Sequence, residues 1–143
     1  FNFSTNKKNF NYFDIATLSF NGGLAQSNSG SGICHALAHS SEKILNVKHS
    51  ESISFFIAPV IKYLLIKNKK DLNNFDNRIF KYVFKNVKFL KKNYNFNKLK
   101  SLIENNKSIS DLINRSQNDI CWRLYNQNVD VNLLIKCLKN ENN

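Results

Sequence analysis

Gly32-Ile33-Cys34-His35-Ala36-Leu37-Ala38-His39-Ser40-Ser41-Glu42-Lys43-Ile44-Leu45, followed by Asn46-Val47-Lys48 and then His49, is the stretch that decides the fold. Apolar residues recur at helical spacing over residues 33–45 and predict a helix. His35 and His39 stand at i and i+4 and therefore share one face. Asn46-Val47-Lys48 is a short break. His49 lies at the entry to a second helix, whose run Ile53, Phe55, Phe56, Ile57, Ala58, Val60, Ile61, Leu64 and Leu65 is apolar nearly all round. Such a pattern belongs to a helix buried on most sides. Ahead of the pair, Ser27-Asn28-Ser29-Gly30-Ser31-Gly32 is a turn rich in helix-capping residues.

Working outward, Phe13, Ile15, Ala16, Leu18, Phe20, Leu24 and Ala25 fit a buried helix, and Gly22-Gly23 suggests close packing by another backbone. Residues 67–74 are a charged, Asn-rich loop. Phe80, Val83, Phe84, Val87 and Leu90 then make one apolar stripe, with Lys81, Lys85, Lys88 and Lys92 on the other side. A short helix is expected over residues 99–104. Another begins at Ser108-Ile109-Ser110-Asp111, capped by serine, and runs toward Leu124. A last one covers residues 131–138, with Asp130 as its N-cap. No alternating strand pattern occurs, and only 4 Gly and 1 Pro interrupt the chain. The expected fold is all-α, one helical bundle spanning residues 1–143.

Composition narrows the function classes. The longest apolar run, residues 53–66, contains Pro59 and Lys62 and is too short to span a membrane. Three cysteines, Cys34, Cys121 and Cys137, are odd in number and widely spaced, as expected of reduced thiols in a cytoplasmic protein. The net charge of +11 accompanies Asn and Lys throughout the chain, a pattern of AT-rich coding that raises lysine everywhere without a selected patch. A nucleic-acid partner is therefore not expected, and no membrane partner either. The chain has no methionine and begins at Phe1, so it is expected to be a segment of a longer protein.

The histidines carry the chemistry. His35, His39 and His49 are the only three in the chain, spaced H-x3-H-x9-H. Imidazole is the commonest protein metal ligand and the usual proton shuttle near neutral pH. Two helices joined by a tight turn can each aim an imidazole at a common point. A catalytic divalent ion takes at least three protein ligands and an open position. Glu42, Glu51 and Asp14 are the nearby carboxylates, and none has a spacing that commits it. The missing ligands are expected from outside the segment.

Residues 23–39, from Gly23-Leu24-Ala25-Gln26 through Cys34-His35-Ala36-Leu37-Ala38-His39, resemble the histidine signature of the iron-containing, group III alcohol dehydrogenases. His49-Ser50-Glu51-Ser52-Ile53-Ser54-Phe55-Phe56-Ile57-Ala58-Pro59-Val60-Ile61 is similar to that family's following segment. The likeness spans residues 13–65 and extends more loosely to residues 129–138. It also reaches dehydroquinate synthase, a relative with a similar helical domain. The resemblance implies the helical, metal-binding C-terminal domain of a metal-dependent oxidoreductase. Such an enzyme transfers a hydride between an alcohol or aldehyde and a nicotinamide cofactor. It implies His35 and His49 as metal ligands, with Fe2+ the expected ion and Zn2+ able to occupy the same imidazoles. It implies His39 as the catalytic group, a proton relay or positioning residue. NAD or NADP would be bound by an upstream nucleotide-binding domain, the principal partner, together with the family's remaining ligands. A homo-oligomer is compatible with this reading. Lys48 and Ser50 flank His49 where the family usually carries proline and glycine, and Lys48 could greet an anionic substrate.

Three smaller expectations complete the reading. Cys34 is expected to pack rather than react. Trp122 and Tyr125 are expected in the core. The competing functional account is a basic all-helical binding module, or an inactive remnant, with incidental histidines.

Overall fold

Residues 12–29, 31–67, 85, 94–125 and 127–140 are described in a computed structural model of the chain. Among them, seven helices follow one another: α1 Tyr12–Ser29, α2 Gly32–Leu45, α3 His49–Lys67, α4 Asn97–Glu104, α5 Asn106–Gln117, α6 Ile120–Arg123 and α7 Val131–Asn140. No strand occurs among the described residues, so the all-α expectation holds. No helix among them is long and apolar enough to cross a membrane.

The α2–α3 hairpin forms where the sequence predicts it. Asn46 ends α2 in the left-handed region at φ 52°, and its N–H donates to the Glu42 carbonyl at 2.8 Å. Asparagine tolerates that conformation better than most residues with a Cβ. Three residues later the chain re-enters helix, and the Ser52 N–H reaches the Lys48 carbonyl at 3.0 Å. The Ser41 and Ser52 hydroxyls, both fully buried, meet at 3.0 Å and join the two helices.

α2 lies at the centre, packed against α3, α5 and α6, while α3 also packs against α7 and α4 pairs with α5. The core unites Ile33 and Leu37 of α2, Phe55, Phe56, Val60 and Tyr63 of α3, and apolar residues of α4, α5 and α7. Phe55 meets the Phe56 ring edge-on at 5.1 Å and the Phe96 ring at 5.3 Å. Removing each such aromatic side chain from water contributes about 1.5–3 kcal/mol. Tyr63 is fully buried yet satisfied, because its hydroxyl accepts the Asp130 N–H at 3.0 Å. Asp130 in turn accepts the Leu133 N–H at 3.0 Å, the N-cap role expected of it.

Several boundaries differ from expectation. Ser31 makes no side-chain cap bond to α2. α5 begins earlier than Ser108, because Asn105 accepts the N–H groups of Lys107 and Ser108 and caps it. It stops at Gln117 rather than running toward Leu124, because Asp119 adopts extended backbone (φ −75°, ψ 144°) and caps α6. The helix predicted at residues 13–25 forms, and of its apolar residues Phe13, Ala16, Phe20 and Leu24 are exposed rather than buried, while a Cβ at Gly22 or Gly23 would meet nothing within 4 Å. Periodicity marks a stripe without saying what covers it, and α1 packs extensively against none of the other described helices. The loop predicted after Lys67 and the stripe of Phe80, Val83, Phe84, Val87 and Leu90 lie outside the described residues, as do Lys81, Lys88 and Lys92. Lys85 is helical and exposed.

The contrast between α3 and α1 is measurable by urea denaturation. Phe55→Ala should lower the unfolding free energy by about 3–5 kcal/mol. Phe20→Ala should change it by less than about 0.5 kcal/mol.

Candidate metal centre

His35 and His39 leave α2 on one face, one turn apart, and the short connection returns the chain so that His49, the first residue of α3, stands beside them. The ring centroids form a nearly even triangle: 5.9 Å between His35 and His39, 5.2 Å between His35 and His49, and 5.3 Å between His39 and His49. One ring nitrogen from each lies within 4.8 Å of the others. All three residues singled out from the sequence are thus brought together.

Two carboxylates hold the rings. The Nδ1 of His49 is 2.5 Å from Glu42 Oε1, and the Nδ1 of His39 is 3.1 Å from Asp119 Oδ2. Each contact leaves Nε2 as the uncommitted ring nitrogen. A carboxylate on the outer nitrogen fixes the ring orientation and tautomer of a metal-binding histidine and raises its basicity. Asp119 is itself held, because its Oδ1 accepts the Cys121 N–H at 2.8 Å while capping α6. Burial raises the Asp119 carboxyl, but the Cys121 N–H and the His39 ring outweigh this and keep it below its ordinary range.

Electrostatics favour the neutral imidazole at His35. Partial burial lowers the pKa of His35, and the neighbouring His49 and His39 lower it further, against the pull of Glu42 and Asp119. Neutral imidazole is the form that binds a metal. His39 and His49 keep 34% and 45% of their side-chain surface exposed, so the triangle is open to solvent.

A second group of potential ligands, His39, Asp119 and Cys121, shares two of these residues. Its chemistry is poorer. Burial and the hydrogen bond to Asp119 raise the Cys121 thiol, which favours the protonated form, whereas the thiolate is the ligand. Cys34, beside His35, is pushed up to about 12 by burial and sits 4.0 Å from the Ile53 carbonyl. It packs, as expected. Trp122 and Tyr125 pack against the core edge. Lys48 is exposed next to His49.

Asp119 is the residue that sequence reasoning missed. It is 80 positions from His39 and lay inside an expected continuous helix. Its one local signal is an aspartate ahead of a short apolar run, an N-cap pattern. Glu42 was visible as a nearby carboxylate but not committed. Glu51 belongs to neither group of potential metal ligands among the described residues.

Comparison with protein-family models, with curated proteins and with solved structures finds no match to this chain.

Two measurements check the site's protonation. Because Cys34 and Cys121 are raised and Cys137 is buried, the native chain should resist thiol-specific alkylation near pH 8 and react fully in denaturant. His35 is lowered on folding, so its contribution to stability is complete above the ordinary histidine value of about 6.5 and is lost as pH falls through the lower folded value. The Tm of metal-free protein should therefore drop from pH 7 toward pH 5, and less steeply in His35→Asn.

Proposed function

We propose that this chain is the divalent-metal-binding helical domain of an oxidoreductase that moves a hydride between an alcohol or aldehyde and a nicotinamide cofactor. The observation that carries the metal reading is the convergence of His35, His39 and His49, two of them held at Nδ1 by a carboxylate. Imidazoles with an open side suit Fe2+ or Zn2+. The reaction class is supported by the likeness of residues 13–65 to the iron-containing alcohol dehydrogenases.

His35 and His49 hold the ion, and Glu42 sets the His49 tautomer. When bound, a divalent ion supplies Lewis acidity toward the substrate oxygen. His39, oriented by Asp119, stands at the same opening as the proton-handling group. Lys48, exposed and adjacent to His49 in the chain, is the candidate to meet a negatively charged part of a substrate.

The described residues do not fit a dinucleotide. Gly32 opens α2 after another helix, whereas a phosphate-binding glycine loop follows a strand. The nicotinamide cofactor is therefore assigned to a separate nucleotide-binding domain. The three free thiols fit a reducing, cytoplasmic setting.

The test is metal content followed by activity. Joined to an upstream domain that supplies the remaining ligands, the chain should retain about one Fe2+ or Zn2+ ion, the count expected of the one site to which His35 and His49 belong. His35→Ala and His49→Ala should each lose it. Joined to a nucleotide-binding domain, the metal-loaded protein should oxidise simple alcohols with NAD or NADP and stop when a chelator is added. Retention of the metal by both alanine variants would remove the basis of the reading.

A further inference from the structure

We infer that a cleft between the C-terminal ends of α2 and α5 is a binding site for the phosphate group of a small phosphorylated molecule. The inference stands apart from the metal reading and does not depend on it. The cleft encloses about 430 Å3 and is lined by Ser40 and Lys43 of α2, Arg115 of α5, and Asn118, Asp119 and Ile120 at the entry to α6. That volume lies within the range of small-molecule sites, about 300–1,000 Å3.

Hydrogen-bonding capacity identifies the ligand. Lys43 is exposed, and among the described residues its ammonium has no acidic or hydrogen-bonding partner. Arg115 binds Asp111 through Nε at 2.8 Å, which leaves the outer nitrogens of its guanidinium fork for another acceptor. The Ser40 hydroxyl also has no partner among the described residues. Asp119 is the one acid lining the cleft, and its two oxygens are already engaged by the Cys121 N–H and the His39 ring.

Net charge alone would not select the ligand, because Asp119 and the negative ends of the two helices offset the cations. The unspent charged groups, however, are donors. A phosphate offers acceptors that suit both a guanidinium fork and an ammonium. A single basic residue in the last turn of a helix is ordinary. Here two, from different helices, converge with a buried serine on one concavity. Ile120, 54% exposed, gives the same cleft an apolar surface for the body of the ligand. The chain's net charge of +11 raises the local concentration of anions.

NMR titration of the whole isotope-labelled chain, without metal and at constant ionic strength, tests the site with two probes, inorganic phosphate and glycerol phosphate. Both should saturably shift the backbone amides of Ser40, Lys43, Asn118, Asp119 and Ile120. Glycerol phosphate should bind about 3–10-fold more tightly, because its body covers Ile120. Lys43→Ala and Arg115→Ala should each weaken both probes by about 5–10-fold, as expected for one charge-assisted bond near the surface. Lys98→Ala, at an exposed lysine of α4, should change neither, which separates a site from general attraction to a basic chain. Equal affinity for the two probes would make free phosphate the ligand and overturn the phosphorylated-molecule assignment. Shifts that stay linear in ligand, or a Lys98→Ala effect as large as that of Lys43→Ala, would overturn the site itself. Circular dichroism checks that each variant folds. Lys43→Gln, which keeps the chain length without the charge, decides by the same criteria if an alanine variant does not fold.

Discussion

The close approach of α2 to α3 governs the rest of the structure. Ala36 and Ala38 are fully buried on α2, and the Ser41–Ser52 contact satisfies two hydroxyls that would otherwise be stranded without water. Leu37 and Ser41 point into the protein. A helical residue two positions away is turned by roughly 200°. Burying Leu37 and Ser41 therefore directs His35 and His39 toward the open edge, where the turn at Asn46 delivers His49. The imidazole triangle follows from how the hairpin is packed, and no local strain is required to build it.

Asp119 extends that arrangement to the C-terminal half. One oxygen caps α6 and the other engages His39, so the short helix and the histidine are located by the same side chain. Its side chain keeps only 12% of its surface exposed, against 28% for Glu42. Solvent screens the His49–Glu42 pair more strongly, and such exposed pairs contribute little to stability. The two carboxylates are chemically alike at the ring they touch but unequal in how firmly they are held.

The hairpin was legible in the sequence because its signals are local. Helical periodicity, an Asn-containing break and the i, i+4 histidines need no knowledge of distant residues. The Asp130 cap was legible for the same reason. Asp119 was not, because its contact to His39 depends on how α5 and α6 fold back over α2. The continuous apolar pattern through Ile113, Ile120 and Leu124 also concealed the break at Asn118-Asp119. The exposure of Phe13, Phe20 and Leu24 on α1 escaped the sequence as well, since amphipathic spacing reports a face and not its cover. The imidazole cluster itself was readable, but the identity of its anchors came only with the tertiary structure.

The short connection between α2 and α3 also sets an order of events during folding. Closing a small loop costs little chain entropy, so contacts between residues 35 and 49 become available early. The Asp119 contact must wait for a segment 80 positions away. A nascent hairpin thus holds its three imidazoles near one another before the anchor of His39 arrives. On the metal reading proposed above, a divalent ion present at that stage would favour the hairpin over open forms of the chain.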